Sequence, residues 1–142
     1  MAGLLDRIAR GIATGVFRLV RGRVRARPGV HSIALTADRR IILVKLRYAP
    51  GWRLPGGGRD EGEDARASAL RELREEIGMT SHGEVRRAWP ESDELLIVED
   101  VRYRPKRWSW EVERIVEAPI DKLPRNVSPR ALRWLSSVRG TI

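Results

Sequence analysis

Residues 54–79, LPGGGRDEGEDARASALRELREEIGM, constrain this chain more than any other stretch. The glycines at 56, 57 and 58 let the backbone take conformations closed to other residues and come close to a ligand. A helix-forming run follows from about residue 64 to 77, and Gly78 suits its end. At about 100° per residue, Leu70, Leu73 and Ile77 fall on one side of that helix, while Glu72, Glu75 and Glu76 gather on another. Unpaired, such carboxylates repel one another by roughly a few tenths of a kcal/mol per pair. Two readings meet this cost. Arg71 and Arg74 can turn the face into a salt-bridged, solvated surface, or a hard divalent cation can take several carboxylate oxygens and reverse the sign of the repulsion. A glycine loop beside the helix offers a carbonyl to a metal or amides to a phosphate.

The remaining pattern supplies a single domain's worth of elements. Residues 30–36 and 41–47 read as two strands joined by the polar ADRR, and YAPGWRLPGGG is too dense in turn residues for any regular element. GEVRRAW, ELLIVEDVRY and RWSWEVERIVE read as further strands. SPRALRWLSSV predicts a final helix with Ser128 as N-cap and Pro129 at its first position, and Trp134 facing the core. Strands and helices thus mix around one sheet, an α/β arrangement.

With 142 residues the chain has room for one core, and it contains no cysteine and only two histidines, His31 and His82. Disulfides, thiolate nucleophiles and histidine-rich metal sites are therefore excluded, and any metal is a hard cation on oxygen ligands. The net charge of +9 is unevenly spread: residues 1–28 hold seven arginines against Asp6, and the rest carries 21 basic and 18 acidic residues. Leu4, Ile8, Ile12, Val16 and Val20 form a helical stripe in this basic arm, whose uncharged runs are too short to span a bilayer. The arginines continue through it, unlike a secretory signal; the composition does not distinguish it from an organellar presequence. Its expected roles are packing on the domain or a sister chain, lying on an anionic membrane surface, or binding nucleic acid. A cytoplasmic location follows, peripheral at a membrane if the arm is interfacial.

Gly57, Glu63, Arg71-Glu72, Leu73, Glu75-Glu76, Gly78 and Met79 stand at spacings that resemble the Nudix box, Gly57 to Met79, with every defining position present. The flanking pattern extends the resemblance over roughly residues 29–138. It implies a Nudix-type α/β/α sandwich around a mixed β-sheet, over residues 29–142, with residues 1–28 as an extra amphipathic helical arm. It also implies hydrolysis of a diphosphate linked to another group, with Mg2+ or Mn2+. By position, Glu72, Glu75 and Glu76 would bind metal with the Gly56 carbonyl as a further ligand, and Glu63 and Arg71 would fix the Gly57 loop against the helix. Metal ions of this kind neutralise phosphate oxygens and acidify a water while a carboxylate takes its proton. Glu72 and Glu111 are the candidate bases; a strand through WSWEVER would point Glu111 away from Trp110 and Val112, with Glu113 on the same face.

Substrate recognition is less marked. Aromatic stacking and cationic contacts suit a nucleotide, and Arg47, Trp52, Arg53, Trp108 and Trp110 are available. Trp52 equally suits a loop anchor. Trp108 and Trp110, alternating on a strand, equally suit packing against the sheet. The reading is a small nucleotide-type substrate, a nucleoside di- or triphosphate or a nucleotide sugar; the alternatives are an RNA 5′-end pyrophosphohydrolase and a non-catalytic nucleotide-sensing module.

Overall fold

The computed structural model describes residues 29–142. The expected N-terminal arm lies outside the described residues. The elements run β1 Val30–Ala34, β2 Ile41–Leu46, β3 Trp52–Arg53, β4 Gly56–Gly57, α1 Ala65–Ile77, β5 Met79–Ser81, β6 Val85–Trp89, β7 Ser92–Val98, β8 Arg102–Tyr103, β9 Val112–Ala118 and α2 Pro129–Val138.

Strand alternation builds the sandwich. Ile33 and Leu35, Ile41 and Leu43, and Leu95 and Ile97 pack with Ala131, Trp134, Leu135 and Val138 of α2. Their neighbours in sequence, including Ala34, Ile42, Val44 and Val98, pack with Leu70, Leu73 and Ile77 of α1. Successive strand residues point to opposite faces, so the two helices cover the two sides of the β layer. The expected α/β/α architecture is the one observed.

The ends of both helices are set by local chemistry. Asp64 accepts the Ala67 amide at 2.7 Å as the N-cap of α1, and Gly78 closes the helix at φ 74°. A Cβ at Gly78 would come within 2.0 Å of the Arg104 carbonyl oxygen, so the close approach also requires glycine. Ser128 caps α2 through the Ala131 amide, with Pro129 as the first helical residue.

Four expectations need correction. The β layer is not one ladder but a mixed sheet β4-β1-β7-β6, an antiparallel sheet β3-β2-β9 and a ribbon β5-β8; β1 and β7 are parallel, and a Leu35–Ile41 bridge connects the first two sheets. The turn-rich stretch after residue 47 contains the two short strands β3 and β4, which pair with β2 and β1. The expected strand over 94–103 divides at Asp100, which takes φ 46°, and Val101 then donates to the Leu35 carbonyl. Finally, residues 107–111 are not a strand: the Ser109 hydroxyl accepts the Glu111 and Val112 amides at 3.2 and 3.0 Å, turning the chain before β9 begins.

Candidate active site

The carboxylate face of α1 is not a solvated surface. Glu72 and Glu76 are only 3% and 5% exposed, although Glu75 is partly open. Arg71 reaches across this face and back to the loop. Its Nε donates to Glu63 Oε2 at 2.8 Å and its Nη2 to Glu63 Oε1 at 3.0 Å, a two-pronged contact. Nη2 also donates to the Gly58 carbonyl, and Nη1 meets Glu72 and Glu75 at 3.1 and 3.2 Å. Asp60 completes the ring at 3.3 Å. Burial alone would lower the Arg71 pKa, but the hydrogen bond to Glu63 and the charges of Glu72, Glu75 and Glu63 outweigh it and raise the value above the ordinary guanidinium range. This arginine therefore stays charged and ties residues 58–63 to the helix.

The glycine loop closes over the buried carboxylates. The Gly56 amide donates to Glu76 Oε2 at 3.0 Å. Gly56 takes φ 154°, and a Cβ there would meet the Val30 oxygen at 2.4 Å and the His31 Cα at 2.6 Å. At Gly57 a Cβ would lie 2.7 Å from Glu72 Oε1. The loop is thus held against β1 on one side and against Glu72 and Glu76 on the other, which only glycine permits. The donors are all oxygens, suited to a hard cation such as Mg2+. Among the described residues, no three histidine or carboxylate groups stand gathered at metal-ligand spacing; the Arg71 guanidinium sits between Glu72 and Glu75.

A cavity of about 290 Å³ opens beside this loop, lined by Gly56, Gly57, Gly58 and Glu76 and also by His31, Arg53 and Arg130. Arg53 is therefore brought to the site as a candidate substrate contact. Trp52 instead turns into the core cluster around α2, with Arg114 over its ring at 5.8 Å. Glu111 accepts the Tyr48 hydroxyl at 2.9 Å and is not among the residues lining this cavity. Trp108 and Trp110 lie outside the strands, before β9 begins. They meet edge to face at 4.3 Å on the loop before β9, at 42% and 56% exposure, with the Arg47 guanidinium 5.9 Å from the Trp108 ring and its Nε donating to the Ser109 carbonyl. His31 and Arg130 were not singled out by sequence reasoning. They come from β1 and α2, and no local pattern links them to the glycine loop.

An α/β/α sandwich with an arginine-clamped glycine loop over a glutamate-bearing helix defines the structural class. The NUDIX domain family model matches residues 25–136, and the chain belongs to the Nudix family. It is 47% identical over 58 residues to an RNA pyrophosphohydrolase of Caulobacter vibrioides, covering 39% of this chain and 34% of that protein. It is 34% identical over 96 residues to an RNA pyrophosphohydrolase of Sphingopyxis alaskensis, covering 59% of this chain and 60% of the relative. The chain thus spans less than two thirds of these relatives' lengths. The crystal structure of a MutT NUDIX hydrolase from Burkholderia pseudomallei superposes with a TM-score of 0.59 at 24% identity, covering 79% of this chain and 98% of that one, which bears on the fold.

Proposed function

We propose that this protein hydrolyses a phosphoanhydride bond in a nucleotide-type substrate with the help of Mg2+ or Mn2+. The observation that carries the reading is the pair of buried carboxylates, Glu72 and Glu76, pressed against the Gly56–Gly57 backbone at the edge of an open cavity. Buried carboxylates are held where an opposite charge or hydrogen-bond donors compensate them, and here Arg71 meets Glu72 and the Gly56 amide meets Glu76. Glu72, Glu75 and Glu76 would hold the cation with the Gly56 carbonyl. When bound, the cation neutralises phosphate oxygens and lowers the pKa of a water. Glu63 and Arg71 keep the loop registered on the helix, so that phosphate oxygens meet the same backbone atoms on every encounter. Glu72 is the first candidate for the base. Glu111 is the second, its carboxylate accepting the Tyr48 hydroxyl just before β9 begins. Arg47, Arg53, Trp108 and Trp110 are the substrate contacts we assign, with Trp108 and Trp110 as an exposed stacking surface.

The substrate class is a small nucleotide, a nucleoside di- or triphosphate or a nucleotide sugar. Similarity to RNA pyrophosphohydrolases favours a second reading, removal of pyrophosphate from an RNA 5′ end, in which the basic residues 1–28 would grip the backbone. A purely nucleotide-sensing module would have little use for the complete carboxylate set. Among the described residues no helix is long and apolar enough to cross a membrane; residues 1–28 would place a cytoplasmic enzyme on an anionic membrane surface, which cosedimentation with anionic vesicles, compared with a chain lacking residues 1–26, tests. The function is tested by measuring phosphate and pyrophosphate release from nucleoside di- and triphosphates, nucleotide sugars and 5′-triphosphorylated RNA, with Mg2+ and with EDTA. Cation-dependent release from one class is expected. Binding of these compounds without any release would overturn the reading in favour of a sensor.

A further inference from the structure

The cavity beside the glycine loop does not end there. A second cavity of about 270 Å³ adjoins it toward the N-terminal end of α2, and the two share His31, Arg53, Leu54 and Arg130 in their walls. Together they form a groove from Glu76 to Ser128 and Arg133. Its charge changes along the way. The loop end contains Glu76, whereas among the lining residues of the second cavity there is no carboxylate, and Arg53, Arg130 and Arg133 all contribute. The first turn of α2 also has no acidic residue, so the positive end of the helix dipole is unopposed by its own side chains.

Arg53 sits where the two cavities meet. Its Nε is buried and has no hydrogen-bond partner. A buried guanidinium N–H without a protein acceptor is costly, and an oxygen entering the groove, from a ligand or a water, would satisfy it. Arg130 is already engaged at the groove's outer side: it pairs with Glu94 at 3.2 Å and lies 4.5 Å from the Trp134 ring. That engagement fixes the guanidinium near the cavity wall instead of leaving it to sweep through solvent. Arg133 lies one turn further along α2 and is exposed.

We propose that the inner half of this groove, centred on Arg53 and rimmed by Arg130 and Arg133, is a second phosphate subsite, so that the substrate carries a phosphate separate from the diphosphate held at the glycine loop. The assignment rests on the functional reading above for the position of the diphosphate. A planar guanidinium presenting paired N–H donors matches phosphate oxygens, and Glu76 at the loop end against Arg133 at the far end gives the bound molecule a fixed direction. The shared chemistry has two sources: a monoester on the ribose of a mononucleotide, or the phosphodiester that links a 5′-terminal nucleotide to the next.

Equilibrium binding to the full chain by calorimetry, in EDTA so that no turnover intervenes, separates these sources. The probes are ADP, adenosine 3′-phosphate 5′-diphosphate and 5′-diphosphorylated ApA. One or both of the two-phosphate probes should bind the wild type about ten- to a hundredfold more tightly than ADP, the range of charge-assisted hydrogen bonds. Arg133→Gln, on the exposed rim, should reduce that excess with ADP binding changed much less, and Arg53→Gln, which also removes a contact at the glycine-loop cavity, should abolish the excess while weakening ADP as well. Excess for the monoester probe alone names a mononucleotide, and excess for the dinucleotide alone names an oligonucleotide end. Equal binding of all three probes by the wild type overturns the proposal, as does an equal loss for all three in both variants. Because nothing is hydrolysed in this experiment, a failed subsite is distinguished from a failed hydrolase assignment, which is read by product release with Mg2+.

Discussion

Replacing Arg71 by Met removes a cation whose side chain is 15% exposed and whose nitrogens lie within 3.3 Å of carboxylates from Asp60, Glu63, Glu72 and Glu75. Met keeps most of the volume and the helix propensity, so the loss is mainly electrostatic. Glu72 is the critical partner, since its side chain is only 4% exposed and water cannot readily replace the guanidinium. Removing one member of a buried charged set costs about 3–5 kcal/mol. The more exposed Glu75 adds little, as an i,i+4 surface pair is worth about 0.3–0.5 kcal/mol. Urea unfolding at neutral pH in EDTA should therefore show Arg71→Met less stable by about 3–5 kcal/mol. Mg2+ should then raise the midpoint of the variant more than that of the wild type, because a divalent cation can occupy the space that the guanidinium leaves between Glu72 and Glu75. A loss below about 1 kcal/mol, with no difference in the Mg2+ response, would refute the view that Arg71 is the charge that makes this carboxylate face tolerable.

Two further substitutions probe the loop and the ribbon. Gly56→Ala should destabilise by roughly 2–5 kcal/mol, combining left-handed backbone strain with a Cβ forced against the β1 backbone; thermal unfolding within about 2 °C of wild type would contradict the packing. The Tyr103 hydroxyl donates to Glu117 at 2.6 Å, and burial together with that bond raises its pKa above the ordinary tyrosine value. Its contribution to stability is then complete below about pH 10, where the unfolded residue is still protonated, and is lost as pH rises through the folded-state value. The stability gap between wild type and Tyr103→Phe, followed by urea melts from pH 8 upward, should close above pH 10; a constant gap would show that ionisation of Tyr103 does not matter.

The parts of the fold legible in the sequence are those with local causes. The Leu70-Leu73-Ile77 stripe and Gly78 mark α1, and Ser128-Pro129 marks the start of α2. The central strands were legible as short apolar runs, because a helix buries each side of the β layer. The face of α1 was legible as a cluster of glutamates but not as a buried one, since its burial depends on the glycine loop folding over it. Residues 107–111 misled because tryptophans suit strands, whereas the Ser109 side chain captures two amides and ends the extended run. The groove wall was the least legible: His31, Arg53 and Arg130 stand on three elements far apart in the chain and meet only through the sandwich.

Glu76→Gln tests the central claim most directly. Gln keeps an oxygen for the Gly56 amide, so the loop should hold its place, and a cooperative melt shows that the variant is folded. Loss of the charge removes a cation ligand, and turnover with Mg2+ of whichever nucleotide substrate the wild type hydrolyses should fall by about a hundredfold or more. A folded Glu76→Gln protein that turns over substrate at the wild-type rate would contradict the assignment of this carboxylate face as the cation site of a Nudix hydrolase.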